Sequence, residues 1–297
     1  MTDQARQSSF AWIDVLIVAL VLAGVCVVLL PSINRERRLH NMAACGDNLQ
    51  AIGKAMSAYA NEYEDMLPVA GGKGTRWAAS LANWSAADHH EAFGLDPNGT
   101  GGQATISSSL YLLIRHAYGD VTPRTFLCKN DKGVKEFDPA DCDLRDKNLA
   151  DLWDFGPNST EHCSYAYQTV YGGYTLSQKS ENWGFAIAAD RNPWIDPPSG
   201  KAAEFSQFTP DFSPYGGTWE QAEQGNAVAH QRHGENVLFL DLHVEWERRP
   251  YCSLEDDNVY TAWNGDDKAR GVPLKLGSVP ADAKDSLLVN DPIAPAK

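Results

Sequence analysis

The stretch FAWIDVLIVALVLAGVCVVLLP, Phe10 to Pro31, decides how this chain is read. Sixteen residues from Val15 to Leu30 are apolar without interruption, and Phe10 to Leu30 holds one charge, Asp14. About 20 predominantly apolar residues span a bilayer core, so the stretch predicts a membrane-spanning helix. A cleaved secretory signal would have a shorter apolar region ending in a small-residue cleavage site. The run ends instead in LLPSINRERRLH, which offers no such site. Asp14 then calls for a reason, since an ionisable residue inside a membrane segment is a functional hypothesis once a partner is named. Near the helix start it can reach the headgroup region, or it can pair with a positive group in an assembly. The natural partner is a new N-terminal amine, created by cutting the chain before Phe10.

Outward from this stretch the charge is uneven. Residues 1–40 carry a net +1, against −14 for the whole chain, so residues 41–297 carry −15. An acidic domain lacks the Lys and Arg that phosphate contacts need, which argues against nucleic acid as a partner. It suits a hard cation such as calcium, which takes carboxylate oxygens, or it serves solubility alone. Three arginines follow the apolar run and one precedes it. The positive-inside rule alone would put the C-terminal side in the cytoplasm; the cysteines argue the reverse.

After Pro31, which should kink the helix rather than end it, Leu49, Ile52, Met56, Tyr59 and Tyr63 recur at helical spacing. Such a stripe packs on a core, with the helix stopping near Glu64 or Asp65, before Pro68. GGKGT and NGTGG, within residues 69–105, read as loop turns and not phosphate loops. Ser109 to Ala117 reads as a short helix, PRTFLCKND from Pro123 as a strand ending at Cys128, and Cys128 to Asp154 as an irregular insertion. SYAYQTVYGGYTL from Ser164 reads as strand and turn, and WGFAIAADRNP as a buried strand ending at Asp190. Pro193 to Gly217 reads as an extended surface loop, and residues 273–297 as a weakly ordered tail.

The richest chemistry lies in NAVAHQRHGENVLFLDLHVEW, Asn226 to Trp246, with His230, His233, Asp241 and His243. Asp241 and His243 are two apart and would share one face of a strand. With His233 or His230 folded back over them they would form a zinc or calcium site, although the spacing is no standard zinc signature. Two backbone shapes fit. One is a hairpin turning at Asp241–Leu242. The other is a single strand from Val237 to Trp246 that turns Leu238, Leu240, Leu242, Val244 and Trp246 to the core; the alternation favours the strand. In either shape a structural role stands beside the metal reading, with His230 bonded to nearby backbone.

Six cysteines are present and none forms a CxxC pair, which removes a zinc ribbon or redox motif. Cys26 lies in the apolar run. In an oxidising compartment the other five predict two disulfides and one free thiol, with Cys128, Cys142 and Cys163 placed to staple the insertion.

MTDQARQSSFAWIDVLIVALVLAGVCVVLLP resembles the prepilin-type N-terminal cleavage and methylation segment of type IV pilins and pseudopilins. Ser9 and Phe10 stand at the leader-cleavage site, Asp14 at the assembly carboxylate and Pro31 at the proline near the end of the run. Ser9 departs from the family's Gly, and Asp14 from its Glu. CGDNLQAIGKAMSAYANEYEDMLP, Cys45 to Pro68, is similar to the subgroup whose C-terminal half carries an H-X9-DG motif. His230, Asn236, Asp241 and His243 match that motif, with ten residues between His230 and Asp241 and Leu242 in place of Gly.

The resemblance implies an α+β fold: a long N-terminal helix, its first half membrane-spanning, packed on an antiparallel sheet with long loop insertions. It divides the chain into a leader (1–9), a transmembrane half-helix (10–31), a soluble half-helix (32–66), a globular domain (67–272) and the tail (273–297). It implies a non-enzymatic structural subunit of a pilin-like or type II secretion pseudopilin-like assembly in the inner membrane, its domain extracytoplasmic. Its partners would be the membrane, like subunits through residues 10–31, and a prepilin peptidase. Two other functions compete. A membrane-tethered enzyme or metal-binding protein would have the acidic His/Asp region as its site, and no nucleophile elbow, HExxH or phosphate loop supports it. A solitary anchored protein would bind carbohydrate, protein or metal through its Trp- and Pro-rich loops.

Overall fold

The structure is a computed structural model. It describes residues 3–174 and 176–293, with the side chains of residues 3–11, 13 and 28–34 left aside. The chain forms two compact units, Met1–Ala43 and Ala44–Lys297. Its elements are α1 (Asp3–Glu62), β1 (Arg76–Trp77), α2 (His89–Phe93), β2 (Gln103–Ala104), α3 (Ile106–Arg115), β3 (Tyr165–Gln168) and β4 (Ala186–Asp190). Then follow α4 (Trp219–Ala222), β5 (Glu235–Phe239), β6 (Val244–Glu247), β7 (Ala262–Asn264), β8 (Asp267–Val272) and β9 (Leu288–Val289).

In the first unit, Trp12 and the run from Val15 to Val27 leave their large apolar side chains exposed. Among the described residues, no helix is long and apolar enough to cross a membrane. This overturns the membrane-spanning half-helix of the expected fold, and with it the inner-membrane, single-pass localisation and the membrane, type II secretion and periplasmic assignments. Ser9, Phe10 and Pro31 lie outside the residues whose side chains are described.

In the second unit the main sheet is antiparallel. Among the described residues it has five strands in the order β6-β5-β4-β3-β9. The C-terminal part of α1 covers one face. Leu49, Ile52 and Met56 are fully buried and Tyr59 nearly so, as the helical spacing requires. Tyr63 instead lies half open, stacked on Tyr59 with ring centroids 4.1 Å apart. Gly53 sets how closely helix and sheet approach: a Cβ there would lie 2.9 Å from Leu238 Cδ1. The other face packs Ala166, Ala189, Val237 and Phe239 against Val259, Tyr260 and Trp194. Burial on both faces explains why β3, β4 and β5 are buried at every residue.

The β5–β6 pair resolves the two shapes drawn from the sequence. It is a hairpin, with Val237 opposite Glu245 and Leu238 opposite Val244, so the single long strand is not formed. Leu242 N donates to Phe239 O at 2.9 Å, and Leu242 sits at φ +73°. That left-handed position follows a tight turn and favours glycine, because an L side chain there costs roughly 1–2 kcal/mol. Leu242→Gly is therefore expected to stabilise the domain by about 1 kcal/mol, read as a Tm rise of about 2–4 °C.

Three other expectations change. PRTF is a 3-10 turn, Pro123–Phe126, and not a strand. Proline cannot donate to a ladder, and Thr122 N is taken by Thr125 Oγ1 at 3.1 Å. Residues 285–291 are not a weakly ordered tail. Leu288–Val289 form the edge strand beside β3, and Asp291 accepts from Ile106 N and Ser107 N, both at 2.8 Å, capping α3. Finally, all six cysteines are free thiols, so the expected disulfides, including a staple on the insertion, are not formed.

The cap draws two carboxylates together in the core. Asp154, which accepts from Thr105 Oγ1 at 2.6 Å, is pushed up to about 7, first by burial and then by the charge of Asp291. An acid raised on folding binds more protons folded than unfolded between its two pKa values. Its contribution to stability is full below about 3.8 and is lost as pH rises through about 7. Between pH 5.5 and 7 this one group is expected to withdraw about 2 kcal/mol. Denaturant titrations across that window should show the decline, flattened in Asp154→Asn.

Candidate functional site

The loop from Asn226 to Gly234 carries His230 inward. Gln231 and Arg232 follow it with φ of +57° and +62°, two successive left-handed residues that reverse the chain. Asn226 Nδ2 braces the reversal by donating to Arg232 O at 3.0 Å and Arg248 O at 2.9 Å. Gly234 is required: a Cβ there would sit 2.2 Å from Glu247 O and 2.9 Å from the Trp246 ring. His230 thus lies buried, edge-on to Trp246 with ring centroids 5.2 Å apart.

Its partners are side chains, not the nearby backbone expected from sequence. His230 Nε2 is 3.0 Å from Asp190 Oδ2 and 3.7 Å from Cys128 Sγ. Cys45, from α1, completes the group: the ligand atoms of Cys45, Cys128, Asp190 and His230 all lie within 4.8 Å of one another. Each is buried, none more than 3% exposed. Asp190 ends β4, so the sheet itself fixes the carboxylate. Asn236 N and Nδ2 donate to its Oδ2 at 2.7 and 3.0 Å, which gives this motif asparagine a positioning role. Asp190 Oδ1 is buried and has no hydrogen-bond partner. On the far side of the imidazole, Asn130 Nδ2 is 3.3 Å from Nδ1.

The electrostatics follow from this packing. Burial works against the His230 imidazolium, but the charge and hydrogen bond of Asp190, with the Cys128 thiol, overcome it and raise His230 to about 10. The hydrogen bond to Cys45, then burial, push Cys128 up as well. A thiol held protonated and out of solvent is a poor nucleophile, so the group is not arranged for cysteine catalysis. It presents two soft sulfurs, one imidazole nitrogen and one carboxylate.

The positions singled out in sequence for metal binding do not assemble. His233 is exposed, with Nδ1 3.9 Å from Glu223 Oε1. Asp241 and His243 contact each other at the hairpin turn, and His243 stacks on Phe239. They do not share a strand face, because the turn falls between β5 and β6. Among the described residues, one group of three or more His, Cys, Asp or Glu side chains converges, and none of His233, Asp241 and His243 belongs to it. Calcium, one of the two readings of the acidity, takes 6–8 oxygen ligands; the converging group offers a single carboxylate. Sequence reasoning missed Cys45, Cys128 and Asp190 because they are dispersed along the chain. The available signal was an aspartate at a strand end and a histidine in a loop motif; Cys45, inside α1, gave none.

Elsewhere in this unit a cleft of about 1140 Å³ is lined by Tyr59, Glu62, Tyr63, Trp77, Tyr171 and Val279. Comparison with family models, with curated proteins and with solved structures finds no match for this chain.

Proposed function

We propose that the chain is a non-enzymatic structural subunit of a pilin-like assembly, in which like chains associate through the N-terminal part of α1. The observation that carries this reading is the exposure of Trp12 and of the large apolar side chains from Val15 to Val25, at 46–72%. A helix apolar all round is stable only when it is buried, and exposed patches of this kind mark association sites. Because no face from Val15 to Val27 is polar, a bundle of identical helices covers it better than a single groove does. Asp14 is exposed at the start of the stretch, where a positive group of a neighbouring copy can pair with it. The resemblance of residues 9–31 and 45–68 to pilin-like chains supports the same reading.

Cys26 lies inside the stretch and is exposed, so it serves as a native cross-linking probe. Oxidative cross-linking in the expressing cell is expected to give a covalent dimer that is lost in Cys26→Ser and in Val21→Glu. Sedimentation of the full chain should show a multimer. A monomer at all concentrations, with no Cys26-dependent dimer, would remove the proposal.

A further inference from the structure

We propose that Cys45, Cys128, Asp190 and His230 form a structural zinc site. Three observations carry it. The first is chemical: two thiols, an imidazole and a carboxylate are the donors zinc takes in closed, four-ligand sites, while the sulfurs disfavour magnesium and calcium. The second is geometric. Zinc bonds of about 2.0–2.3 Å in a tetrahedron place neighbouring ligand atoms about 3.3–3.8 Å apart. The group has Cys128 Sγ 3.7 Å and Asp190 Oδ2 3.0 Å from His230 Nε2, with every ligand atom within 4.8 Å of the others. Small side-chain shifts bring that arrangement onto one ion.

The third is the surrounding shell. Asp190 Oδ1 is a buried carboxylate oxygen without a hydrogen-bond partner, beside the Oδ2 that faces His230, and an ion shared between the two oxygens would satisfy it. Asn236 orients the carboxylate through its other oxygen. Asn130 sits against His230 Nδ1; its amide oxygen can accept the Nδ1 proton once Nε2 takes the metal, the usual support for a ligating histidine. A cleft of about 570 Å³ bordered by Cys45, Asn48, Leu127 and Cys128 gives the ion a way in. The four ligands come from α1, the loop after the Pro123–Phe126 turn, the end of β4 and the loop before β5. An ion there would tie four dispersed segments together, which is the work of a structural and not a catalytic site. The inference stands apart from the assembly reading.

The test uses the full chain, purified under reducing conditions and analysed by elemental mass spectrometry. One zinc per chain is expected. Exchange for cobalt should give the thiolate-to-cobalt charge-transfer band and the strong visible bands of a tetrahedral site. Cys128→Ser and His230→Gln should lose the metal, and His243→Ala should keep it. Since the ligand variants risk misfolding, the wild-type chain is also stripped with a chelator and refilled. Stripping should lower Tm by about 10 °C, and zinc alone should restore it. Two results would overturn the site: a folded wild-type chain that takes up neither zinc nor cobalt, or a Cys45–Cys128 disulfide found by non-reducing peptide mapping.

Discussion

Arg191→Ala is expected to lower domain stability by about 3–5 kcal/mol, because it leaves a buried carboxylate without its cation. Arg191 follows β4 directly and is almost fully buried. Its Nε is 2.8 Å from Asp131 Oδ2, itself buried. Its guanidinium also donates to Thr160 Oγ1 and Thr160 O, at 2.9 and 2.8 Å, and to Cys163 O at 2.5 Å. One side chain thus ties the end of the sheet to Asp131, early in the insertion, and to Thr160 and Cys163, just before β3. Thermal unfolding should show a Tm drop of about 6–20 °C, and Asp131→Asn added to Arg191→Ala should recover part of it. Lys179→Ala is the contrast. Its ion pair with Asp65 is largely exposed, and such pairs contribute about 0–1 kcal/mol. Equal losses in the two variants would mean that the buried network carries no special weight.

Asp291→Ala is expected to cost about 3–6 kcal/mol. Its carboxylate accepts from Trp77 Nε1 at 3.0 Å and from the first two amides of α3. Each buried donor stranded by its loss costs about 1–3 kcal/mol. Asp291→Asn keeps one acceptor oxygen and should fall between the wild type and alanine. Removing the charge also relieves Asp154, whose pKa is pushed up to about 7 partly by Asp291. The decline in stability due to Asp154 should therefore end at lower pH in Asp291→Ala than in the wild type, with a shallower fall between pH 5.5 and 7. Urea titrations at pH 5.5 and 7 check both the size of the loss and its slope.

These two residues also mark the limits of a reading from sequence. The periodicity of Leu49, Ile52, Met56 and Tyr59 is a local signal, and it located a helix face that the structure buries. The strand ending at Asp190 was legible for the same reason, as an apolar run with a polar stop. The hairpin was not, because Leu242 occupies a left-handed position that leucine ordinarily avoids. Alternation from Leu238 to Trp246 then argued for one straight strand. Composition made residues 285–291 look like a tail. Their order comes from pairing with Tyr167 and Gln168, more than a hundred residues away. The converging cysteines, aspartate and histidine were hidden in the same way: His230 stood out within a motif, while Cys45, Cys128 and Asp190 become its neighbours only through the fold. The apolar run from Val15 was legible as a stretch that needs cover, but not which cover it takes.

The capping of α3 from the far end of the chain has a consequence during synthesis. The amide of Ile106 waits for a carboxylate 185 residues later, which at 5–20 residues per second emerges roughly 10–40 s afterwards. Until then the nascent domain lacks the acceptor for the Ile106 and Ser107 amides, with Thr105 alone capping α3, and has an open sheet edge at β3, the kind of edge that pairs with other chains. Translation pausing before residue 285 would prolong that interval, so slow codons or stalled ribosomes late in the message should send more of this protein to aggregation than the same delay placed early.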